Sequence, residues 1–249
     1  MVLSAMPVGD YDKRLVILTK EIGKISAFAK GARRPNSALL ACCQPFAFGE
    51  FNLYAGRSSY NIISAEISNY FGELRDDFEG LCYGFYFCEV ADYLTKENND
   101  EKNILKLLYQ TFRTLSRKTI DLLLVRVIFE LKIMALNGET PQVFECVKCE
   151  GKSTKQSTDN HLSGKCYFST ESGGILCEAC RIYDKSALLI NTSTLYTMQY
   201  IISREIEKLY TFKVSDEVLS ELIKCMKRYL ERYIDHEFKS LEMLKNLQI

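Results

Sequence analysis

The hydrophobic pattern of the chain changes its period once, near Phe71. Before that point, short β-branched or alternating segments predict five strands: VLSAMPV, RLVILT, ISAFAKGARR, FAFGEFNLYA and SYNIISAEIS. In the third, Ile25, Ala27 and Ala29 alternate with Ser26, Phe28 and Lys30, as in a sheet with both faces in use. The turn EIGK relies on Gly23 for a positive φ, and Gly56 to Ser59 joins the last two strands. NSALLACCQ, bracketed by Pro35 and Pro45, suggests one or two helical turns. Five antiparallel strands in about 70 residues suit a small closed barrel, because closure removes exposed edges.

After Phe71 the apolar spacing becomes three and four. LCYGFYFCEVADYLTKE places Leu81, Phe85, Cys88, Val90 and Leu94 roughly on one helical face. NILKLLYQTFRTLSRK does the same with Ile104, Leu105, Leu108, Phe112 and Leu115. TIDLLLVRVIFELKIMALNG is apolar on most sides, which predicts a buried helix stopped by Asn137-Gly138, and Pro141 bars continuation. Three more helices are expected in TLYTMQYIISREIEKLY, DEVLSELIKCMKRYLERYIDHEF and SLEMLKNL. Ser215 caps the second of these, with Asp216 and Glu217 in its first turn. The layout is barrel, helices, cysteine insert, helices, with no internal repeat.

Composition narrows the class. With 47% hydrophobic and 12% aromatic residues in 249, the chain has the material for a core. Its apolar runs, such as Leu122 to Val125, fall far short of a membrane span, and MVLSAMPVGDYDKR lacks the pattern of a signal peptide. A cytoplasmic protein without membrane association is expected. Net charge is zero, but residues 1–70 carry 8 Lys/Arg against 5 Asp/Glu, while residues 71–142 carry 9 against 12. A nucleic-acid role therefore requires a local basic surface.

The cysteines supply the candidate chemistry. Cys146-x2-Cys149 and Cys177-x2-Cys180 are separated by 27 residues. Two such pairs outline a four-thiolate zinc site, each pair clasping one edge of a tetrahedron. The spacer is longer than a usual zinc ribbon, and unmetallated thiols or a redox pair are the competing readings. A redox CxxC normally sits beside a βαβ pattern, which is missing here. The polar stretch EGKSTKQSTDNHLSGK cannot fold alone, so a metal cross-link would supply the stability. Cys166 and His161 belong to no pair and are ranked as spectators. His236, in YIDHEF, reads as a surface helix residue. No Walker loop, GxGxxG or nucleophile motif occurs in the sequence.

MPVGDYDKRLVILTKEIGKISAFAKGARRPNSAL, then QPF and FNLY, resembles the N-terminal domain of the RecO family of bacterial recombination mediators. VRVIFELKIMALNGETPQVFECVKC, followed by YFSTESGGILCEAC, resembles that family's helix leading into its zinc region. The resemblance covers the whole chain in order. It implies an α+β multidomain protein: an N-terminal five-stranded OB-fold β-barrel and an all-α C-terminal domain with a four-cysteine zinc-finger insertion. The expected boundaries are 1–75 for the DNA-binding OB-fold, 76–142 and 181–249 for the two parts of the helical domain, and 143–180 for the insertion. The resemblance also implies a non-enzymatic, nucleoid-associated protein of DNA repair and recombination that binds single- and double-stranded DNA and anneals complementary strands. Its implied partners are RecR, the C-terminal tail of the single-strand-binding protein SSB and, indirectly, RecA. Its one Zn2+ would be structural.

In an OB-fold the groove for single strands lies on one face, edged by loops. AKGARRPN gathers Lys30, Arg33 and Arg34 within five positions, shaped by Gly31 and Pro35. Lys13, Arg14, Lys24 and Arg57 would extend the basic surface, and Phe28, Tyr54 and Tyr60 are stacking candidates, although small barrels also need large side chains inside. The bland reading is a solvated charged loop. Lys224, Lys227, Arg228 and Arg232 on the CMKRYLERY helix read as an outer face. Two other functional classes remain open: an adaptor that binds proteins through its helices and no DNA, and a zinc-dependent nuclease, which would need an open metal position.

Overall fold

The computed structural model describes residues 1–57, 59–149 and 164–247. The chain divides into two compact units, Met1–Thr119 with Phe238–Ile249, and Ile120–Glu237.

The first unit is built on strands β1 (Val2–Val8), β2 (Asp12–Leu18), β3 (Lys24–Ala29), β4 (Phe48–Ala55) and β5 (Tyr60–Asn69). Gly23 has the expected positive φ, 69°, and its carbonyl accepts from Thr19 N–H and Oγ1 at 2.8 Å to close the β2–β3 turn. The period of two holds: Leu15, Ile17, Ile25, Ala27 and Ala29 are all buried on one face. Val2, Ile62, Cys42, Cys43 and Ala47 complete that core. NSALLACCQ forms successive turns, with no α-helix.

The expected OB-fold barrel is not formed. The sheet runs β1-β2-β3-β5-β4, with β1 and β4 at its two margins and no ladder between them, so it is an open, mixed sheet. The fifth strand joins β3 in parallel through only two residue pairs. Pro7 sits in β1 and has no N–H to offer a closing strand, and the β1–β2 register slips between Val2 and Ser4. At its start β1 does touch the segment before β4: Val2 N–H donates to Ala47 O and Phe46 N–H to Val2 O, both at 2.9 Å.

Three helices complete this unit: α1 (Phe78–Leu94), α2 (Lys102–Arg117) and, late in the chain, α6 (Lys239–Leu247). Of the expected α1 stripe, Cys88 and Val90 are buried, Leu81 and Leu94 are half-buried and Phe85 is exposed; Cys82, Tyr83, Tyr86, Phe87 and Ala91 make up the rest of the buried side. Gly84 is also buried and packs closely, because a Cβ there would lie 3.3 Å from the rings of Phe46 and Phe112. On α2, Ile104, Leu108, Phe112 and Leu115 are buried as expected. Glu89 of α1 caps α6, its carboxylate accepting from the N–H groups of Lys239 (3.1 Å) and Ser240 (3.0 Å).

The second unit opens with α3 (Leu122–Leu136), capped by Asp121, whose carboxylate accepts from Leu123 and Leu124 N–H. A small antiparallel sheet follows: β6 (Cys166–Ser169), β7 (Gly174–Cys177) and β8 (Leu188–Ile190), in the order β7-β6-β8. Helices α4 (Thr192–Ser203) and α5 (Asp216–Tyr233) close the unit. Ser215 Oγ caps α5 by accepting from Val218 N–H. The α5 helix stops at Tyr233, so His236 lies in a connection and not on a helix. Among the described residues no helix is long and apolar enough to cross a membrane.

The buried Lys132 of α3 joins two of these helices. Its ammonium donates to the carbonyls of Ile201 (3.1 Å), Ile202 (2.8 Å) and Arg204 (2.7 Å), capping the C-terminal end of α4. Burial lowers its pKa, but three carbonyls at a helix C-terminus favour the cation. Lys132→Met keeps the stem and removes the head group. It should cost about 1.5–3 kcal/mol in urea unfolding, with α4 the first element to lose hydrogen-exchange protection.

Candidate metal centre and nucleic-acid surface

The two cysteine pairs, far apart in sequence, meet on the small sheet of the second unit. Cys177 ends β7 opposite Cys166 of β6, and Cys180 follows in a 3-10 turn, Glu178–Tyr183. The other pair is tied to the same strand. Gln142 N–H donates to Gly173 O, Ile175 N–H to Gln142 O, and Val147 N–H to Ile175 O. Gly174 makes this possible, since a Cβ there would run into the Gln142 carbonyl.

The Sγ atoms of Cys146, Cys149, Cys177 and Cys180 all lie within 4.8 Å of one another, so these four residues can hold a metal ion. The Cys149–Cys177 separation is 3.9 Å. A tetrahedral ion with bonds of about 2.3 Å holds its sulfurs about 3.8 Å apart, so the sulfurs already lie near the required spacing. Burial opposes ionisation of Cys146, but N–H groups of Cys149, Cys177 and Lys148 outweigh it and bring the thiol down to about 6. The bond from Cys177 N–H to Cys146 Sγ is 3.4 Å long. Burial pushes the Cys177 and Cys180 thiols up, partly countered at Cys177 by the N–H of Cys180. Tyr167, Leu176 and Ala187 pack against the cluster. Cys166 is outside the four-sulfur group and its thiol lies 3.6 Å from Gly164 O. His161 lies outside the described residues.

Around the cluster, Asp184 accepts from Ser169 Oγ (2.7 Å), Ser186 N–H (2.8 Å) and Ser186 Oγ (2.6 Å). Burial works against its charge, but these donors lower its pKa, and the bonds fix the turn leading to β8.

The basic candidates separate into groups. Lys30, Arg33 and Arg34 are exposed on the loop after β3, beside the β1–β2 turn. Arg33 N–H donates to Tyr11 O (2.8 Å) and its guanidinium to Gly9 O (3.2 Å), while Arg34 stacks 5.2 Å over the Tyr11 ring. Asp12 fixes the loop by accepting from Gly31 N–H at 2.7 Å. Arg14 is exposed on the open face of the sheet, its Nε donating to Ser26 Oγ at 2.9 Å. Arg57 is not part of this group, because the strand registers send the β4–β5 turn in the opposite direction to the β1–β2 turn. Lys13 is committed to Cys43 O (2.8 Å) and Lys24 to Asp92 (2.9 Å). On α5, Arg228 is held by Ser186 O and Arg232 pairs with Glu171.

Register also aligns residues that the sequence does not visibly connect. Met6, Arg14, Phe28, Asn61 and Tyr54 are consecutive cross-strand partners across all five strands. They form one row on the face opposite the buried alanines and isoleucines, with Met6 60% and Tyr54 64% exposed. At about 4.8 Å per strand the row spans roughly 19 Å. Met6 and Asn61 were not sequence candidates; the alternation in the third strand left both faces in use, and the structure puts Ile25 and Ala27 inside and Phe28 outside. Tyr60, by contrast, packs towards the inner core and donates to Glu97 at 3.2 Å.

The first unit thus presents an open sheet whose outer row carries Arg14 and the rings of Phe28 and Tyr54, and the second a four-cysteine centre on a small sheet among helices. Two family models tile this chain: the N-terminal model of recombination protein O matches residues 1–71, and the C-terminal model residues 75–242. The chain belongs to the RecO family. It is 34% identical over 247 residues to DNA repair protein RecO of Alkaliphilus metalliredigens, covering 99% of this chain and 97% of the relative. The RecO proteins of Acetivibrio thermocellus (32%; 99% and 95% covered) and Desulforamulus reducens (30%; 99% and 93%) are similar to it over the same extent.

Gly174→Ala should separate the two cysteine pairs by breaking the Gln142 bridge. A loss of more than about 2 kcal/mol in thermal stability is expected, together with faster metal release to a chelator. Cys166→Ser should leave the bound metal content unchanged.

Proposed function

We propose that this chain is a non-enzymatic DNA repair and recombination mediator of the bacterial cytoplasm, associated with the nucleoid. It binds single- and double-stranded DNA, anneals complementary strands and, with RecR, helps load RecA onto SSB-coated DNA. The observation that carries the DNA reading is the row Met6–Arg14–Phe28–Asn61–Tyr54 on the open face of the sheet. The exposed Tyr54 ring and the half-buried Phe28 ring accept stacked bases, Arg14 meets a phosphate, and Asn61 offers an amide to base edges. Lys30, Arg33 and Arg34 beyond the β3 end lengthen the cationic track, and Arg57 makes a separate contact. Annealing follows from charge neutralisation, which lets two repelling strands approach until pairing takes over. Family membership supports RecR, the SSB tail and RecA as partners.

The ion that suits the cysteine cluster is one structural Zn2+. Four soft thiolates close a tetrahedral shell and leave no position for a reacting water, which argues against a nuclease at this centre. Zinc supplies a cross-link here, and the chain's own N–H···S bonds and the Asp184 network orient its ligands.

Metal analysis of protein purified without chelator should find one zinc per chain. Replacing Cys146, Cys149, Cys177 or Cys180 with Ala should release it and loosen residues 143–180, since structural zinc binding is worth about 10–16 kcal/mol in small peptides. Zinc-free wild-type protein would contradict the assignment.

Binding of a single-stranded oligonucleotide across a salt series tests the DNA reading. Arg33→Ala with Arg34→Ala should flatten the log–log salt slope by about 1.4, at about 0.7 per contact. Arg14→Ala with Tyr54→Ala should weaken binding at all salts, by roughly 1–3 kcal/mol for the lost stacking. Binding by wild type that neither double variant alters would move the site off this sheet.

A further inference from the structure

Beside the sulfur cluster, the second unit carries an exposed cationic and aromatic surface. Lys148 lies between the cysteines of the first pair, and Arg181 directly follows Cys180. The Lys148 ammonium is 5.8 Å from the centroid of the Tyr183 ring, and the Arg181 guanidinium lies 4.6 Å over Tyr167. Tyr167 is buried between its cross-strand partners Leu176 and Leu189, so Arg181 rests on a fixed plate. Ile182, Tyr183 and Leu189 are 72%, 65% and 56% exposed.

Among the described residues, the neighbouring acids Asp184, Glu178 and Glu145 each have a partner, and Glu178 and Glu145 are exposed. Asp184 is buried among its serine donors, Glu178 pairs with Lys165 at 3.7 Å, and Glu145 accepts from Gln142 at 3.4 Å. Lys148, Arg181 and Lys185 are exposed cations, with Lys148 beside the exposed Tyr183 ring and Arg181 and Lys185 two residues to either side of Tyr183 in the chain.

We propose that this surface is a second contact for single-stranded nucleic acid, separate from the sheet. One base stacks on Tyr183, and the flanking phosphates meet Lys148, Arg181 and Lys185. An acidic peptide would use the cations alone; the exposed rings against them match a ligand that alternates charge with a flat apolar face. The proposal rests on the reading of the chain as a DNA-binding protein. Its consequence is that a single chain makes two contacts with DNA, one on each unit.

The test uses the full-length chain, a fluorescein-labelled thymidine 20-mer and the sheet variant Arg14→Ala/Tyr54→Ala as background. In that background Tyr183→Ala should weaken residual binding about fivefold or more, and Tyr183→Phe should not. Lys148→Ala with Arg181→Ala should flatten the salt slope by about 1.4 and slow the annealing of complementary oligonucleotides. Zinc content should stay at one per chain in every variant. If Tyr183→Ala is silent while the sheet variant still weakens binding, this inference fails and the DNA reading stands. If wild type does not bind the oligonucleotide, both fail. Loss of zinc with unchanged DNA affinity would make Lys148 and Arg181 counterions of the thiolates and overturn the proposal. Displacement of the oligonucleotide by a polyglutamate peptide, equally in Tyr183→Ala and Tyr183→Phe, would overturn it in favour of an acidic peptide site.

Discussion

The two-residue period of a β-strand is the constraint on which the first unit depends. Once Ile25, Ala27 and Ala29 point into the core, Ser26 and Phe28 must point out. Pairing then extends that choice to every strand. Leu15 and Ile17 go in and Arg14 goes out; Ile62 goes in and Asn61 goes out. A slip of one residue in β3 would bury Phe28 and expose the alanines. The same alternation that gives the sheet its core therefore assembles the outer row from five strands, although Met6 and Tyr54 are far apart in sequence.

In the second unit a different interaction has this role. The small sheet has only 4, 4 and 3 residues in its strands, too few to be stable on their own. Its support comes from the convergence of four sulfurs, backbone N–H groups aimed at Cys146, and the Gln142–Gly174 bridge. Both cysteine pairs reuse one device, a turn that brings the N–H of the second cysteine onto the sulfur of the first. Lys148 and Arg181 adjoin those turns in the chain and are exposed.

Much of this was legible in the sequence because it is local. Alternation gave the five strands, Gly23 its turn, Ser215 its cap, and the CxxC spacing the thiolate cluster. The failures are non-local. Barrel closure depends on whether β1 and β4 meet, and neither strand's composition encodes that; Pro7 was the available clue. On α1 only Cys88 and Val90 of the expected stripe are buried and Phe85 is exposed, and the close approach of Gly84 to the Phe46 and Phe112 rings is a tertiary contact that helical spacing does not carry. Arg57 looked like part of the basic surface because only charge was counted, whereas the parallel β3–β5 pairing turns its hairpin the other way. Lys132 lies within the apolar α3, and its three carbonyl partners come some 70 residues later in the chain.

The central claim is that DNA lies on the open face of the sheet. Photocrosslinking a bromodeoxyuridine-substituted single strand to the intact chain, followed by peptide mapping, tests it most directly. The account predicts adducts on the peptides holding Tyr54 and Phe28, lost when the salt is raised enough to release the strand. Adducts confined to the α5 peptide around Lys227 and Arg228, with none on β3 or β4, would contradict it.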